Sequence, residues 1–321
     1  MLKERPLLSI IVPSFNQAEF LGATLDSIFG QKYLPHEVLV MDGASTDGSV
    51  DVIKKYATQF PTLRWVSEPD NGPADAVNKG LERVTGEVIG IQSSDDIYYP
   101  GAFQAAVDVF AKHPDCGLVY GDLDRIDAQN NFLYEQRFPD FSWEAYFGIS
   151  CSIIQSSIFF RTEVAKDAGG WNGEIYSCDL DYWLRLLFRT QAIHIPQILS
   201  AWRHYDGQRT QFDTHQKIWD GYWRMIDESP EIARATPKIR RLAQASKHLR
   251  VLRSPPSKSM FFAYRHLLIA FIKHPGFWRY HPLRSLLRWL PGSNYARSVF
   301  IFSRKYLGMA PQKTVPTVKP E

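Results

Sequence analysis

From residue 7 to residue 126 the chain alternates between two hydrophobic patterns. Short runs rich in Val, Ile and Leu, "LLSIIVPSF", "HEVLVMDGA", "LRWVSE", "EVIGIQSS" and "CGLVYGDLDRI", read as strands. The segments between them, "EFLGATLDSIFGQ", "GSVDVIKKYATQF", "PADAVNKGLERV" and "GAFQAAVDVFAKH", space their apolar residues for one face of a helix. Strand following helix in this way predicts βαβ units, hence an α/β fold with a mostly parallel central sheet flanked by helices on both faces. Ligands on such sheets lie beyond the carboxyl ends of the strands. The polar residues at those ends are therefore the candidates: Pro13, Ser14 and Asn16 after the first strand, Asp42 after the second, Glu68 and Asp70 after the third, and Asp95 with Asp96 after the fourth.

Beyond about residue 213 the alternation gives way to helical patterns, and the charge changes with it. The whole chain carries +3, but residues 234–321 hold 18 Lys and Arg against one acid, a net +17, which leaves 19 against 33, a net −14, for the remainder. The two parts face different partners. With 321 residues and 45% hydrophobic content, the chain can bury the core of one large domain or two smaller ones. Its three cysteines, Cys116, Cys151 and Cys178, show neither paired nor CxxC spacing, which argues against a disulfide framework or a zinc site and fits a reducing cytoplasm. The N-terminus lacks a small-residue cleavage site and runs straight into the first strand, so no signal peptide is expected. The most hydrophobic stretch, Met260 to Ile272, is broken by Arg265 and His266, so no spanning helix is expected either.

Asp95 and Asp96 pose the chemical question, because adjacent carboxylates repel. A turn tolerates them, and so does a site where a metal ion or a sugar shares the charge. Ser45, Thr46 and Asp47 read as caps for the helix that follows them. Asp75 and Lys79 stand i, i+4 on the polar face of a helix, where an exposed ion pair and ligand binding are equally served. None of these turns has a P-loop or GxGxxG pattern, which weakens ATPase and dehydrogenase readings.

Five segments in order, "SIIVPSFNQAEFLGATLDSIFGQ", "EVLVMDGASTDGSVDVIKKY", "SEPDNGPADAVNKGL", "TGEVIGIQSSDDIYYPGAF" and "QSSIFFRTEVAKDAGGWNGEIYSCDLDYWLRLL", resemble the family 2 glycosyltransferases of GT-A fold over residues 7–205. The resemblance implies an inverting sugar transfer from a nucleotide-sugar donor, expected to be UDP-linked, to a hydroxyl of a glycan or lipid-linked acceptor. It places Pro13, Ser14 and Asp42 on the base, Asp95 on the ribose, Asp96 on an Mg2+ or Mn2+ ion at the diphosphate, Asp179 as the catalytic base and Arg203 near the diphosphate. Asn16, from its strand end, and Asp75, from its helix face, complete the donor-binding set. Met41 and Cys178 stand where members often carry a second acid. Asp181 is expected to pair with Arg185 or to help cap its helix, and Trp171 to stack on a sugar or to be buried.

The expected organisation is a catalytic domain over 1–212 (nucleotide-binding part about 1–97, acceptor part 98–212), a basic helical region over 213–310 and a disordered tail over 311–321. Basic amphipathic helices with Trp and Phe suit an anionic membrane surface, here through residues 257–305 at the inner face of the plasma membrane; packing on the acidic catalytic domain is the alternative. Nucleic acid ranks below both, because no binding motif accompanies the charge. The rival activities are an Mg-dependent nucleotidyltransferase or phosphatase, and a membrane-associated binding protein with a decayed site.

Overall fold

The computed structural model describes residues 5–34, 36–147, 153–209, 215–251 and 260–274. In chain order the elements are β1 (Leu8–Ser14), α1 (Ala18–Phe29), β2 (His36–Asp42), α2 (Ser49–Gln59), β3 (Leu63–Ser67), α3 (Pro73–Leu81), β4 (Val88–Ile91), β5 (Ile97–Tyr98) and α4 (Ala102–Lys112). There follow β6 (Cys116–Asp127), β7 (Phe132–Gln136), α5 (Trp143–Phe147), β8 (Ile158–Arg161), α6 (Thr162–Ala168), α7 (Cys178–Leu187) and β9 (Gln191–His204). Four helices close the described chain: α8 (His215–Glu228), α9 (Pro230–Arg234), α10 (Pro237–Val251) and α11 (Met260–Lys273).

The nine strands form one sheet in the order β3-β2-β1-β4-β8-β6-β9-β5, with β7 also paired to β6. The fold is the expected α/β one, and its parallel part is the βα-alternating half, β3, β2, β1 and β4. Strand β8 then runs antiparallel to both β4 and β6 and joins the two halves. On its other edge β6 pairs with β9 in parallel, from Cys116↔Gln191 to Asp127↔His204, through several register shifts.

The middles of β1 and β2 (Ile10–Val12 and Val38–Met41) and the whole of β4 are free of polar side chains because helices cover both faces of the sheet. Ile11, Leu39, Met41, Ile89 and Ile91 join Val77 of α3 and Trp183 and Leu184 of α7 in one core. Their sequence neighbours Ile10, Val12, Val38, Val40 and Val88 join Leu21 and Leu25 of α1 and Phe103 and Val107 of α4 in the other. The period of two along each strand feeds the two layers alternately.

The basic region does not stand apart from this body. Tyr222, Met225 and Ile226 of α8, Ile232 of α9 and Leu242 and Ala243 of α10 are buried in the same core as Trp183 and Phe160. Residues 215–251 thus pack on the catalytic body. Helix α11 lies against α10, burying His266 and Ala270, and exposes Phe261, Tyr264, Leu268, Phe271 and Ile272. Among the described residues no helix is long and apolar enough to cross a membrane. Most of the stretch assigned to a membrane surface, 257–259 and 275–305, lies outside the described residues, as does the tail over 311–321.

Phe159 of β8 is fully buried at the junction of the two halves, its ring 5.4 Å from that of Tyr98 and 5.9 Å from that of Phe103. Phe159→Ala should cost about 3–5 kcal/mol of stability, measured by urea unfolding. A loss below about 1 kcal/mol would show that the junction repacks freely.

Candidate active site

Beyond the carboxyl ends of β1 and β4 opens a cleft of about 710 Å³ whose walls come from both halves of the sheet and from the C-terminal helices. Pro13, Ser14, Asp95, Asp96 and Asp179 all line it, so residues more than 160 positions apart in sequence (Pro13 to Asp179) share one cavity. Asp70, Arg125, Trp171, Tyr205, Arg209 and Arg250 line it too. A smaller depression of about 330 Å³ elsewhere is lined by Asp167, Arg189 and Glu231, whose charges already pair at 2.9 and 3.0 Å.

The acid pair is built by two strands. Asp95 and Asp96 directly precede β5, which pairs with β9 through Ile97↔Ala201 and Tyr98↔Ser200. Two residues further along β9, Arg203 donates its backbone N–H to Asp96 Oδ1 (2.9 Å) and its Nε to the Asp95 carbonyl (2.7 Å). Tyr205 donates its hydroxyl to Asp95 Oδ2 (3.0 Å), and its ring lies 4.6 Å from that of Phe20. Burial raises both carboxyls above their ordinary values, and for Asp96 the neighbouring charge of Asp95 adds to the rise; Arg203 opposes it for both, and Arg125 for Asp96.

Asp179 sits in the first turn of α7, half-buried and open to the cleft. Burial raises its carboxyl, and the N–H groups of the helix start together with Arg209 and Arg250 pull it back. Cys178 beside it is buried and unbridged, with its thiol pushed up to about 12 by burial and by the Asp179 charge. Asp181 takes the ion pair expected of it, 2.9 Å from Arg185. Trp171 is buried against Tyr182 and Trp183 while still lining the cleft, and its Nε1 has no partner among the described residues.

Four of the candidate residues, Arg203, Asp42, Asn16 and Asp75, do not line the cleft. Arg203 is buried and absent from the cleft lining; its NH1 turns to the carbonyls of Asp127 and Ala128 and to Asn130 Oδ1 (2.7 Å), at the β6–β7 turn. Asp42 lies in register between Ser14 and Ser67, behind the cleft, and accepts from Ser45 N–H (2.9 Å), Ser45 Oγ (2.5 Å) and Ser67 Oγ (2.7 Å). Asn16, at φ 51°, braces the same loop by accepting from Thr46 N–H at 2.9 Å. Asp75 accepts from Asn71 N–H (3.0 Å) and lies 3.5 Å from Lys79, the ion-pair alternative. Asp47 accepts the N–H of Ser49, the first residue of α2, at 3.0 Å, and with its other oxygen the N–H of Ala18 at the start of α1 (2.9 Å), so it ties the two helix starts together.

Three cations that sequence reasoning passed over line the cleft. Arg125 stacks 3.3 Å from the centre of the Trp202 ring, donates twice to Gln136 Oε1 and has its pKa lowered to about 10 by burial. Its position in "GDLDRI", inside a strand of alternating polarity, is the only signal the sequence held. Arg209 and Arg250 had none, lying in an irregular segment and in a basic helix.

The profile of glycosyl transferase family 2 matches residues 9–172, half of the chain. The chain belongs to this family. This family 2 glycosyltransferase is 26% identical to the chondroitin synthase of Escherichia coli over 230 residues, 71% of this chain and 33% of that protein. The first curated relatives it matches are covered over 23%, 74% and 33% of their own length. In structure it is similar to residues 1–349 of Staphylococcus aureus TarS in complex with UDP-GlcNAc (TM-score 0.62, 16% identity, 93% of this chain and 92% of that one). It is likewise similar to the mannosyltransferase PcManGT of Pyrobaculum calidifontis in complex with GDP-Man and Mn2+ (TM-score 0.57, 19% identity, 96% and 88%). These neighbours share the GT-A fold.

The placement of Asp42 generates a stability prediction. Asp42→Ala removes the acceptor of three hydrogen bonds and should lower the unfolding free energy by about 1–3 kcal/mol, read by denaturant titration. An unchanged midpoint would mean that the carboxylate does not hold the loop.

Proposed function

We propose that this glycosyltransferase transfers a sugar, with inversion, from a nucleotide-sugar donor to a hydroxyl of a glycan or lipid-linked acceptor, using Asp179 as general base. The observation that carries the reading is that Asp179 and the Asp95–Asp96 pair line one cleft, each under the influence of its own arginines. In this reading Pro13 and Ser14 face the base of the donor, and Asp42 and Asn16 act from behind by fixing the loop beneath it. Asp95 meets the ribose. A UDP-linked donor is favoured by the UDP-GlcNAc of the TarS complex.

The residues present suit a hard divalent cation, Mg2+ or Mn2+. Asp96 is buried beside a second acid, its carboxyl raised by burial and by Asp95, and among the described residues only its Oδ1 receives a hydrogen bond. No cluster of three His, Cys, Asp or Glu gathers among those residues, so Asp96 would hold such a cation with few other groups of the chain. The Mn2+ of the Pyrobaculum complex favours the same reading. When bound, the cation supplies neutralisation of the charge on the departing diphosphate.

The chain's own groups do the rest. Asp179 must be ionised to take the proton of the acceptor hydroxyl, and a carboxyl raised by burial is a better proton acceptor than an exposed one. The closed corner of Tyr205, Asp95 and Arg203 keeps the donor end rigid.

Helix α11 favours one further partner. Its exposed apolar residues, flanked by Arg265 and Lys273, suit an anionic membrane surface, with the body of the enzyme docked above it.

Asp179→Asn should lower kcat by about 10²–10⁴-fold while nucleotide binding stays unchanged. It should also remove an acid limb of the rate profile, in which activity falls as pH drops through a pKa above the usual carboxylate value. A variant retaining the limb would exclude Asp179 as the base. In thermal-shift measurements with UDP-sugars, Asp96→Ala should abolish the part of the stabilisation that depends on Mn2+, and an equal shift would refute the metal assignment. Liposome flotation tests the helix: Leu268→Glu with Ile272→Glu should release the protein from vesicles containing phosphatidylserine, and undiminished flotation would assign membrane contact, if any, elsewhere.

A further inference from the structure

The two ends of the cleft differ in how their cations are used. At the Asp95–Asp96 end the guanidiniums are largely committed: Arg203 to the Asp95 carbonyl and the β6–β7 turn, Arg125 to Gln136 and the Trp202 face, each keeping one buried nitrogen (NH2 and NH1) without a partner among the described residues. At the Asp179 end two more line the cavity, Arg209 after β9 and Arg250 near the end of α10. Neither has a carboxylate within ion-pairing distance among the described residues, and Arg250 Nε is buried there without a partner.

Both are nevertheless held in place. The Arg209 Cζ lies 4.5 Å from the centre of the Tyr176 ring, and the Tyr176 hydroxyl donates to the Arg209 carbonyl at 3.0 Å. The Arg250 Cζ lies 4.4 Å from the centre of the Tyr222 ring, whose hydroxyl is 2.8 Å from Ser246 Oγ. A guanidinium stacked on an aromatic face loses little freedom on binding and presents a planar fork suited to a carboxylate or phosphate. Two such forks beside one ionised base leave that end of the cleft with a net positive charge. They act on Asp179, whereas the charges acting on Asp95 and Asp96 are those of Arg203 and, for Asp96, Arg125. Tyr176 stands three residues before Asp179, and Gly221, next to Tyr222, approaches the backbone nitrogens of Tyr176 and Ser177, so both cations stand on the Asp179 side of the cavity.

We propose that Arg209 and Arg250 form an acceptor subsite for an oxyanion, a carboxylate or a phosphate carried by the acceptor glycan, which seats the attacking hydroxyl beside Asp179. The proposal rests on the glycosyl-transfer reading and names the acceptor class that reading leaves open. It also gives the C-terminal helices a direct part in the site, since Arg250 reaches the cleft only because α10 packs on the catalytic body.

The full chain is first loaded with Mn2+ and whichever of UDP or GDP raises its melting temperature. It is then titrated calorimetrically with an unsulfated chondroitin hexasaccharide, with the carboxyl-reduced form of that hexasaccharide, and with a glycerol-phosphate hexamer. The expected result is that at least one anionic probe binds tenfold or more tighter than the reduced one; which of the two does so identifies carboxylate or phosphate as the group recognised. Arg209→Gln and Arg250→Gln should each erase that preference and leave nucleotide affinity within twofold. Arg209 is exposed, so its variant keeps the test valid even where Arg250→Gln disturbs the packing on Tyr222. Equal binding of the neutral probe, or no binding of either anionic one, overturns the proposal. A fall in nucleotide affinity in the variants overturns it as well, by assigning the cations to the donor. Failure of the unsubstituted protein to bind any nucleotide would instead bring down the glycosyl-transfer reading, and the subsite with it.

Discussion

Two carboxylates on consecutive residues, drawn out of bulk water, are a standing source of repulsion, and the rest of the site is arranged around restraining it. Most of the restraint comes from one residue of β9, with Tyr205 holding the Asp95 carboxylate. Through its backbone N–H Arg203 fixes Asp96, through Nε it fixes the chain at Asp95, and through NH1 it ties both to the turn after β6. Because β9 pairs with β6 along most of its length and with β5 at its end, the corner inherits the rigidity of the sheet. This explains why Arg203 is buried behind the acids rather than presented to a ligand: its own charge is best used as their permanent counterweight.

The sheet then divides the labour. The parallel half, β3-β2-β1-β4, ends its strands on Ser14, Asp42 and Ser67 and leaves a polar rim whose internal hydrogen bonds keep the first loop in shape. The half beyond β8 supplies what a parallel sheet alone cannot, a second wall. Helix α7 brings Asp179, the end of β9 brings Tyr205 and Arg209, and α10 brings Arg250, all to the same cavity.

How much of this could be seen in the sequence followed from physics rather than chance. Strands β1, β2 and β4 were legible because burial on both faces puts a continuous apolar run in each, and the helices between them because one face is apolar. Strand β8, "IFFR", is too short to show a period. Strand β9 mixes His, Gln and Arg into its run, because part of its surface meets the acids and the β6–β7 turn, not a hydrophobic layer. Asp95 and Asp96 stood out because strand ends are where such folds bind, whereas Asp179, on a helix, was legible only through the family resemblance. The arginines were not: Arg203 stood near the expected place in sequence but points the other way in space, and Arg250 is one cation among many until α10 is folded against the body.

The thiol at the start of α7 resolves a problem that the other corner meets by force. A sulfhydryl at a helix N-terminus would ordinarily be ionised and reactive. Enclosed beside Asp179, Cys178 is held toward its neutral form instead, so the aspartate has no competing negative charge next to it. The same enclosure leaves the sulfur a poor target for alkylating or oxidising reagents near neutrality, and an electrophile soaked into the cavity would find the carboxylate before it found the cysteine.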